Sequence, residues 1–166
     1  LKILSERKNL QIEGFDVSTS SYETNASNAF TTFEFFSEGP KGTIKKIVRY
    51  TQIESTNSYN LVFGDEDPET GIVDDRIISN SSDHKKVLAT VASTLLIFLE
   101  NYPEAAVFAV GSTSTRTRLY QMGIANNLEL INLGFTVWGL VEGKWEFFER
   151  GSNYSAFLVR RNKVTL

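Results

Sequence analysis

Ala105-Ala106-Val107-Phe108-Ala109-Val110-Gly111-Ser112-Thr113-Ser114-Thr115-Arg116-Thr117-Arg118-Leu119-Tyr120 is the stretch from which the fold is read. Six apolar residues in a row predict a strand covered on both faces, hence central in its sheet. Gly111 stops the run. Hydroxyl residues then offer helix caps, and Tyr120, Ile124, Leu128 and Ile131 recur at the spacing of one helix face. The pattern predicts a helix over 114–132, weakened at Gly123 and at Asn126-Asn127, with Gly134 at its C-cap. A strand that hands over to a helix start also gathers free N–H groups and the positive dipole end at one spot. That is local chemistry suited to an anion.

Upstream, Val87, Leu88, Val91, Ala92, Leu95, Leu96, Phe98 and Leu99 make a second helix, apolar over more than half its circumference and therefore laid across the sheet. Ser81-Ser82-Asp83 supplies its N-cap candidates, and Asn101-Tyr102-Pro103 ends it. Before it come four strand signals joined by short turns: residues 30–36, 43–54, 59–63 and 72–79. In the first, Phe33 and Phe35 fall on one face, Thr32 and Glu34 on the other. Short connections imply an antiparallel meander. Downstream, residues 135–141 and 144–149 read as a hairpin around Glu142-Gly143, and 154–161 as a last strand. The order is β-β-β-β-α-β-α-β-β-β: a single α+β domain over 29–166, with a mostly antiparallel sheet and two main helices. Residues 1–28 form an N-terminal arm with a short strand near 12–18.

The 166 residues suffice for one core, and twelve Phe, six Tyr and two Trp supply it generously. A net charge of -3 argues against a protein dedicated to coating nucleic acid, though not against a local basic patch. The absence of cysteine excludes disulfides, zinc-thiolate sites and Cys nucleophiles, and a single His excludes His-rich metal sites. No run approaches the ~18 apolar residues needed to cross a bilayer. No cofactor or membrane association is implied, and a cytoplasmic location is the expectation.

Five blocks occur in series: Ser37-Glu38-Gly39-Pro40-Lys41-Gly42; Phe63-Gly64-Asp65; Val87-Leu88-Ala89-Thr90-Val91-Ala92; Gly111-Ser112-Thr113 with Arg116-Thr117-Arg118-Leu119-Tyr120; and Asn153-Tyr154 with Ala156-Phe157-Leu158-Val159. Together, over residues 29–162, they resemble a family of small uncharacterised proteins, a domain of unknown function found mainly in Bacteroidota. The resemblance implies a single bacterial domain. It supplies no functional residues.

The candidate anion site comprises Ser112, Thr113, Ser114, Thr115, Arg116 and Arg118. Arginine's planar fork suits phosphate. Yet residues two apart diverge by roughly 200° on a regular helix, so Arg116 and Arg118 converge only where the first turn is irregular. The competing reading is a hydroxyl-capped helix whose arginines pair with acids of neighbouring elements. The spaced glycine and Gly-Lys pair of a phosphate-binding nucleotide loop are missing. Lys85 and Lys86, at the other helix start, join a shared basic face if both helix starts lie on the same side of the sheet.

Three further features carry weaker signals. The acidic loop 64–71, followed by Asp74-Asp75, fails as a calcium loop: counting Asp65 as position one, Gly71 falls at seven rather than six and Arg76 at twelve, and the segment reads as a solvated hairpin loop. His84 beside Asp83 has the composition of a base pair, but the position of a cap. Tyr50, Tyr59, Trp138, Trp145, Phe147 and Phe148 are either core or a stacking platform, and Phe147-Phe148 must put one ring on each face.

Three functions follow. The first is a non-enzymatic binding module for nucleic acid or another phosphate-bearing ligand. The second is a protein-interaction or homodimeric component, to which the aromatic hairpin 135–149 points. The third is an acyltransferase-like enzyme, suggested by the strand, loop and Arg-bearing helix. The Arg/Gln-x-x-Gly-x-Gly/Ala loop of the acetyltransferases is absent from it.

Overall fold

The computed structural model describes residues 2–3, 21–40, 42–74 and 83–163. Within them the elements run β1 (Lys2–Ile3), β2 (Asn25–Ala26), β3 (Thr32–Gly39), β4 (Gly42–Gln52), β5 (Ser58–Glu66), β6 (Val73–Asp74), α1 (His84–Asn101), β7 (Ala106–Ala109), α2 (Ser114–Asn126), α3 (Leu128–Asn132), β8 (Phe135–Val141), β9 (Lys144–Phe147) and β10 (Ala156–Arg161). The class is α+β, as expected. One sheet has the order β1-β2-β3-β4-β5-β7-β10-β8-β9, with β6 against the far end of β5.

The meander is real: β3, β4, β5 and β6 are successive antiparallel neighbours. Its turns use the left-handed backbone that tight reversals need, at Gly42 (φ 104°) and Glu54 (φ 47°). Glu142 (φ 49°) and Gly143 (φ 76°) make the two-residue turn between β8 and β9. The β5–β7 pair is parallel, with Tyr59 opposite Val107. A parallel pair needs a long crossover, and α1 is carried in it.

Alternation assigns the two faces of the sheet. Phe33 and Phe35, Val48 and Tyr50, Leu61 and Phe63, Val107 and Ala109, Phe157 and Val159, and Phe135 and Val137 share one face and are all buried. The helices cover that face. Leu88, Val91, Ala92 and Leu95 of α1, Tyr120 and Ile124 of α2 and Ile131 of α3 surround one apolar space with Leu61, Val107 and Val159. Fully buried Phe33, Phe35, Phe98 and Phe157 contribute about 1.5–3 kcal/mol each by leaving water. Tyr50 stacks on Phe98 at 4.2 Å, and its hydroxyl shares a 2.8 Å hydrogen bond with Thr94, so this buried phenol is matched.

Several expectations are corrected. β7 is central, but the helices cover only one of its faces: Phe108 is half-buried and Val110 is 53% exposed. The helix over 114–132 breaks at its Asn126-Asn127 weak point, where the sequence reading allows a break, and is two helices. Asn127 divides them, its N–H bonded to the Ile124 carbonyl and its side-chain amide to the Gly123 carbonyl. The acidic loop is shorter than expected, because Asp65 and Glu66 belong to β5. The sheet also begins before Phe30, since Asn25–Ala26 pairs with β3 and Ala26 is buried. The expected strand near 12–18, most of the strand over 72–79, and the caps Ser81 and Ser82 lie outside the described residues.

Candidate functional site

β7 ends at Ala109, and the chain reaches its next helix in four residues. Thr113 is extended (φ -134°, ψ 162°), and its hydroxyl accepts the Arg116 N–H at 3.2 Å, the cap expected of a hydroxyl residue here. The Thr117 hydroxyl donates to the Thr113 carbonyl at 3.2 Å and accepts the Gly111 N–H at 3.1 Å, closing the turn. Only glycine fits at 111: a Cβ there would lie 2.3 Å from the Thr117 nitrogen. Ser112, Thr113, Ser114 and Thr115 are all exposed.

The two arginines part company. Arg116 is 3% exposed. Its guanidinium lies over the Phe63 ring at 4.7 Å and donates through Nη2 to the Phe63 carbonyl, in the part of β5 beyond its pairing with β7. Its Nε is buried and, among the described residues, has no hydrogen-bond partner. Arg118 is exposed. Arg116 therefore serves the sheet and Arg118 faces solvent, and no single pocket holds both.

The two helix starts do lie at the same end of the sheet, on the same face. A row of rings connects them: Tyr22 stacks on Phe35 at 5.8 Å, and Phe35 on Phe63 at 6.4 Å. Lys86 sits 4.2 Å over Tyr22, and Lys46 lies 5.9 Å from the Phe63 ring. Lys85 and Lys86 are exposed, whereas Lys46 is buried and ion-paired with the buried carboxylate of Asp65, its neighbour across the β4–β5 ladder. Asp83 makes no side-chain bond to the α1 backbone; its carboxylate takes the hydroxyl of Tyr22. Desolvation first, and that bond second, hold the Tyr22 phenol above its ordinary pKa. His84 is half-buried in the first turn of α1.

The acidic segment is spent on local structure. Glu66 and Glu34 hold Lys45 at 2.7 and 3.2 Å. The Asp67 carboxylate accepts the N–H groups of Glu69 (2.8 Å) and Thr70 (2.9 Å), and those two bonds lower its pKa. Among the described residues no three His, Asp or Glu side chains are grouped to hold a metal ion, and no helix is long and apolar enough to cross a membrane.

A further feature is the sheet face opposite the helices. By register it carries Phe36 of β3, Val62 of β5, Phe108 of β7, Leu158 of β10, Trp138 and Leu140 of β8, and Trp145 and Phe147 of β9. Trp138 stacks on Phe147 at 5.9 Å, and Trp145 meets Phe108 edge-on at 6.0 Å. These are surface clusters: Phe147 is 69% exposed, Phe36 50% and Trp145 41%. Phe148 points the other way and is buried, so the Phe147-Phe148 pair splits as its alternation requires. Of the aromatics singled out in the sequence, Tyr50 and Tyr59 join the core cluster, whereas Trp138, Trp145 and Phe147 do not. Which face a strand presents to the helices is a tertiary property, and parity alone does not reveal it.

A family model described as a family of unknown function (DUF6934) matches residues 18–162. No curated protein and no solved structure matches the chain at a significant level.

Proposed function

The chain therefore belongs to that family of unknown function, and we propose that it is a protein-interaction module whose binding surface is the helix-free face of its sheet. One observation carries this reading: exposed Phe147 and Trp145 share a face with Trp138 and Phe108, each ring against another, while the opposite face holds the core. Contiguous exposed aromatic surface is what interaction sites present, and Trp, Tyr and Phe dominate the energetics of such contacts. The chemistry around the rings favours a protein over a nucleic acid. On the β7, β10, β8 and β9 part of this face, Arg160 is the one cation by register among the described residues, too few to track a phosphate backbone.

A photo-crosslinking residue placed at 147 in the native host tests the reading, with position 122 on the exposed side of α2 as control. One defined adduct from 147 with a protein other than this chain, lost when Trp138 and Trp145 are both changed to Ser, is the expected result. Equal adducts from both positions, or none from 147, overturn it.

A second reading keeps the helix start as an anion site. It rests on the exposed hydroxyls of Ser112, Ser114 and Thr115 beside exposed Arg118, with Lys85 and Lys86 at the same end of the sheet. With Arg116 committed to Phe63, Arg118 would be the ligand arginine. Salt-sensitive retention on heparin that falls in Arg118→Ala is the expected result, and unchanged retention removes this reading.

A further inference from the structure

β9 is the last strand of the sheet, and among the described residues its outer side pairs with nothing. All four of its residues are exposed. We propose that this edge pairs with the same edge of a second copy of the chain, antiparallel about a two-fold axis through Trp145. The pairing is made by the main chain and the Lys144 and Glu146 side chains of β9, and it adjoins the helix-free face through Trp145 and Phe147.

The register follows from the hairpin. A two-residue turn closes on a hydrogen-bonded pair, here Val141 with Lys144, and such pairs recur at every second position, so the next is Gly139 with Glu146. Leu140 opposite Trp145 is then a non-bonded pair. Consistent with this, the Leu140 carbonyl accepts the Ser155 N–H at 2.9 Å, on the β10 side. Trp145 therefore turns its own N–H and C=O away from β8, toward the open edge. Two copies joined there exchange two main-chain bonds at Trp145, on the axis.

The side chains fit that register. With Trp145 on the axis, Lys144 stands opposite the partner's Glu146, and Glu146 opposite the partner's Lys144. Both are non-bonded pairs, where opposed side chains come closest. The strand is thus self-complementary in charge, as a two-fold interface requires. Lys and Glu on an edge strand ordinarily repel a stray strand. Here their alternation makes one alignment attractive, and a shift by two residues either way loses both ion pairs and sets like charges opposite each other. On the other face the exposed ring of Phe147 lies diagonally across from the partner's Trp145, within aromatic reach. Four residues a side is a small interface, so the dimer is weak and concentration-dependent.

Sedimentation velocity on the full chain, up to a concentration on the order of 100 µM, tests this. The wild type is expected to dimerise. Lys144→Glu sets carboxylates opposite carboxylates, Glu146→Lys sets amines opposite amines, and each alone weakens dimerisation about tenfold or more. The double variant restores both pairs and regains the dimer, and so does an equimolar mixture of the two single variants, which no loss of folding can mimic. A monomeric wild type at the top concentration overturns the proposal, and so do single variants that dimerise as well as wild type.

Discussion

Arg116, in the first turn of α2, donates to the main-chain carbonyl of Phe63 and covers that residue's ring at 4.7 Å. One side chain thus satisfies a backbone acceptor in β5 and packs on the aromatic row beneath the two helix starts. Arg116→Ala leaves that carbonyl buried without its partner and removes the packing of a long side chain. The expected loss is about 3 kcal/mol, roughly 6–12 °C in melting temperature for a domain of this size. Arg118→Ala, at an exposed position, should fall within about 0.5 kcal/mol of wild type. Urea denaturation of both variants checks the contrast, and equal effects would refute the division of roles.

The local features of this region were legible in the sequence: the strand ending at Gly111, a hydroxyl cap, and the weak point that divides α2 from α3 at Asn127. Each depends on neighbours within a few residues. The partner of Arg116 was not legible, because it is a backbone carbonyl 53 residues away and no side-chain identity marks it. Lys46 and Asp65 were hidden for a related reason. Lys46 reads as one of two strand lysines and Asp65 as the start of an acidic loop, and only the β4–β5 register places them opposite each other on the buried face. The helix-free face was half legible: the Phe147-Phe148 split follows from alternation, but its sign awaited the position of the helices.

Tyr50 gives the stability a pH dependence with a definite sign. Burial pushes its phenol far above the ordinary tyrosine value, a rise only partly opposed by the bond to Thr94. Above pH ~10 the unfolded chain loses this proton while the folded chain keeps it, so the folded state binds more protons and stability falls as pH rises. The contribution is fully present below pH ~10 and declines by about 1.4 kcal/mol per pH unit above it. Tyr50→Phe should cost about 1 kcal/mol at pH 7 and flatten the alkaline limb by that slope. Denaturant titrations at neutral and alkaline pH measure both effects. An alkaline limb unchanged in the variant would contradict the assignment.

Gly123 sits inside α2 and lines an apolar cavity of about 40 Å³ together with Leu88, Leu95, Tyr120 and Ile131. A Cβ there would meet the Leu88 side chain at 3.4 Å, an ordinary contact. Gly123→Ala therefore gains helix propensity and fills part of the void, and should stabilise the chain by about 1 kcal/mol. Thermal and urea unfolding should shift together. A loss of stability would show that α1 and α2 are already at their closest approach.

Gly139 lies on the buried face of β8, and the ring of Tyr154 occupies the space where a side chain would be: a Cβ at 139 would come within 2.3 Å of a ring carbon. The ring is pinned from several sides. Its hydroxyl accepts the Glu149 N–H at 3.0 Å and donates to the Glu146 carboxylate at 3.1 Å, and the ring contacts Phe148 and Phe157. Gly139→Ala must displace it, breaking those bonds and straining the β8–β9 hairpin, at an expected cost of about 2–3 kcal/mol. If the clash with Tyr154 is the cause, the same substitution costs much less in a Tyr154→Ala background, and the double-mutant cycle returns a coupling of about 2 kcal/mol. Additive effects would instead assign the glycine to backbone demands of the strand itself. The same displacement shifts Glu146, so Gly139→Ala should also weaken the dimer proposed through β9 while Gly123→Ala, on α2, leaves it intact.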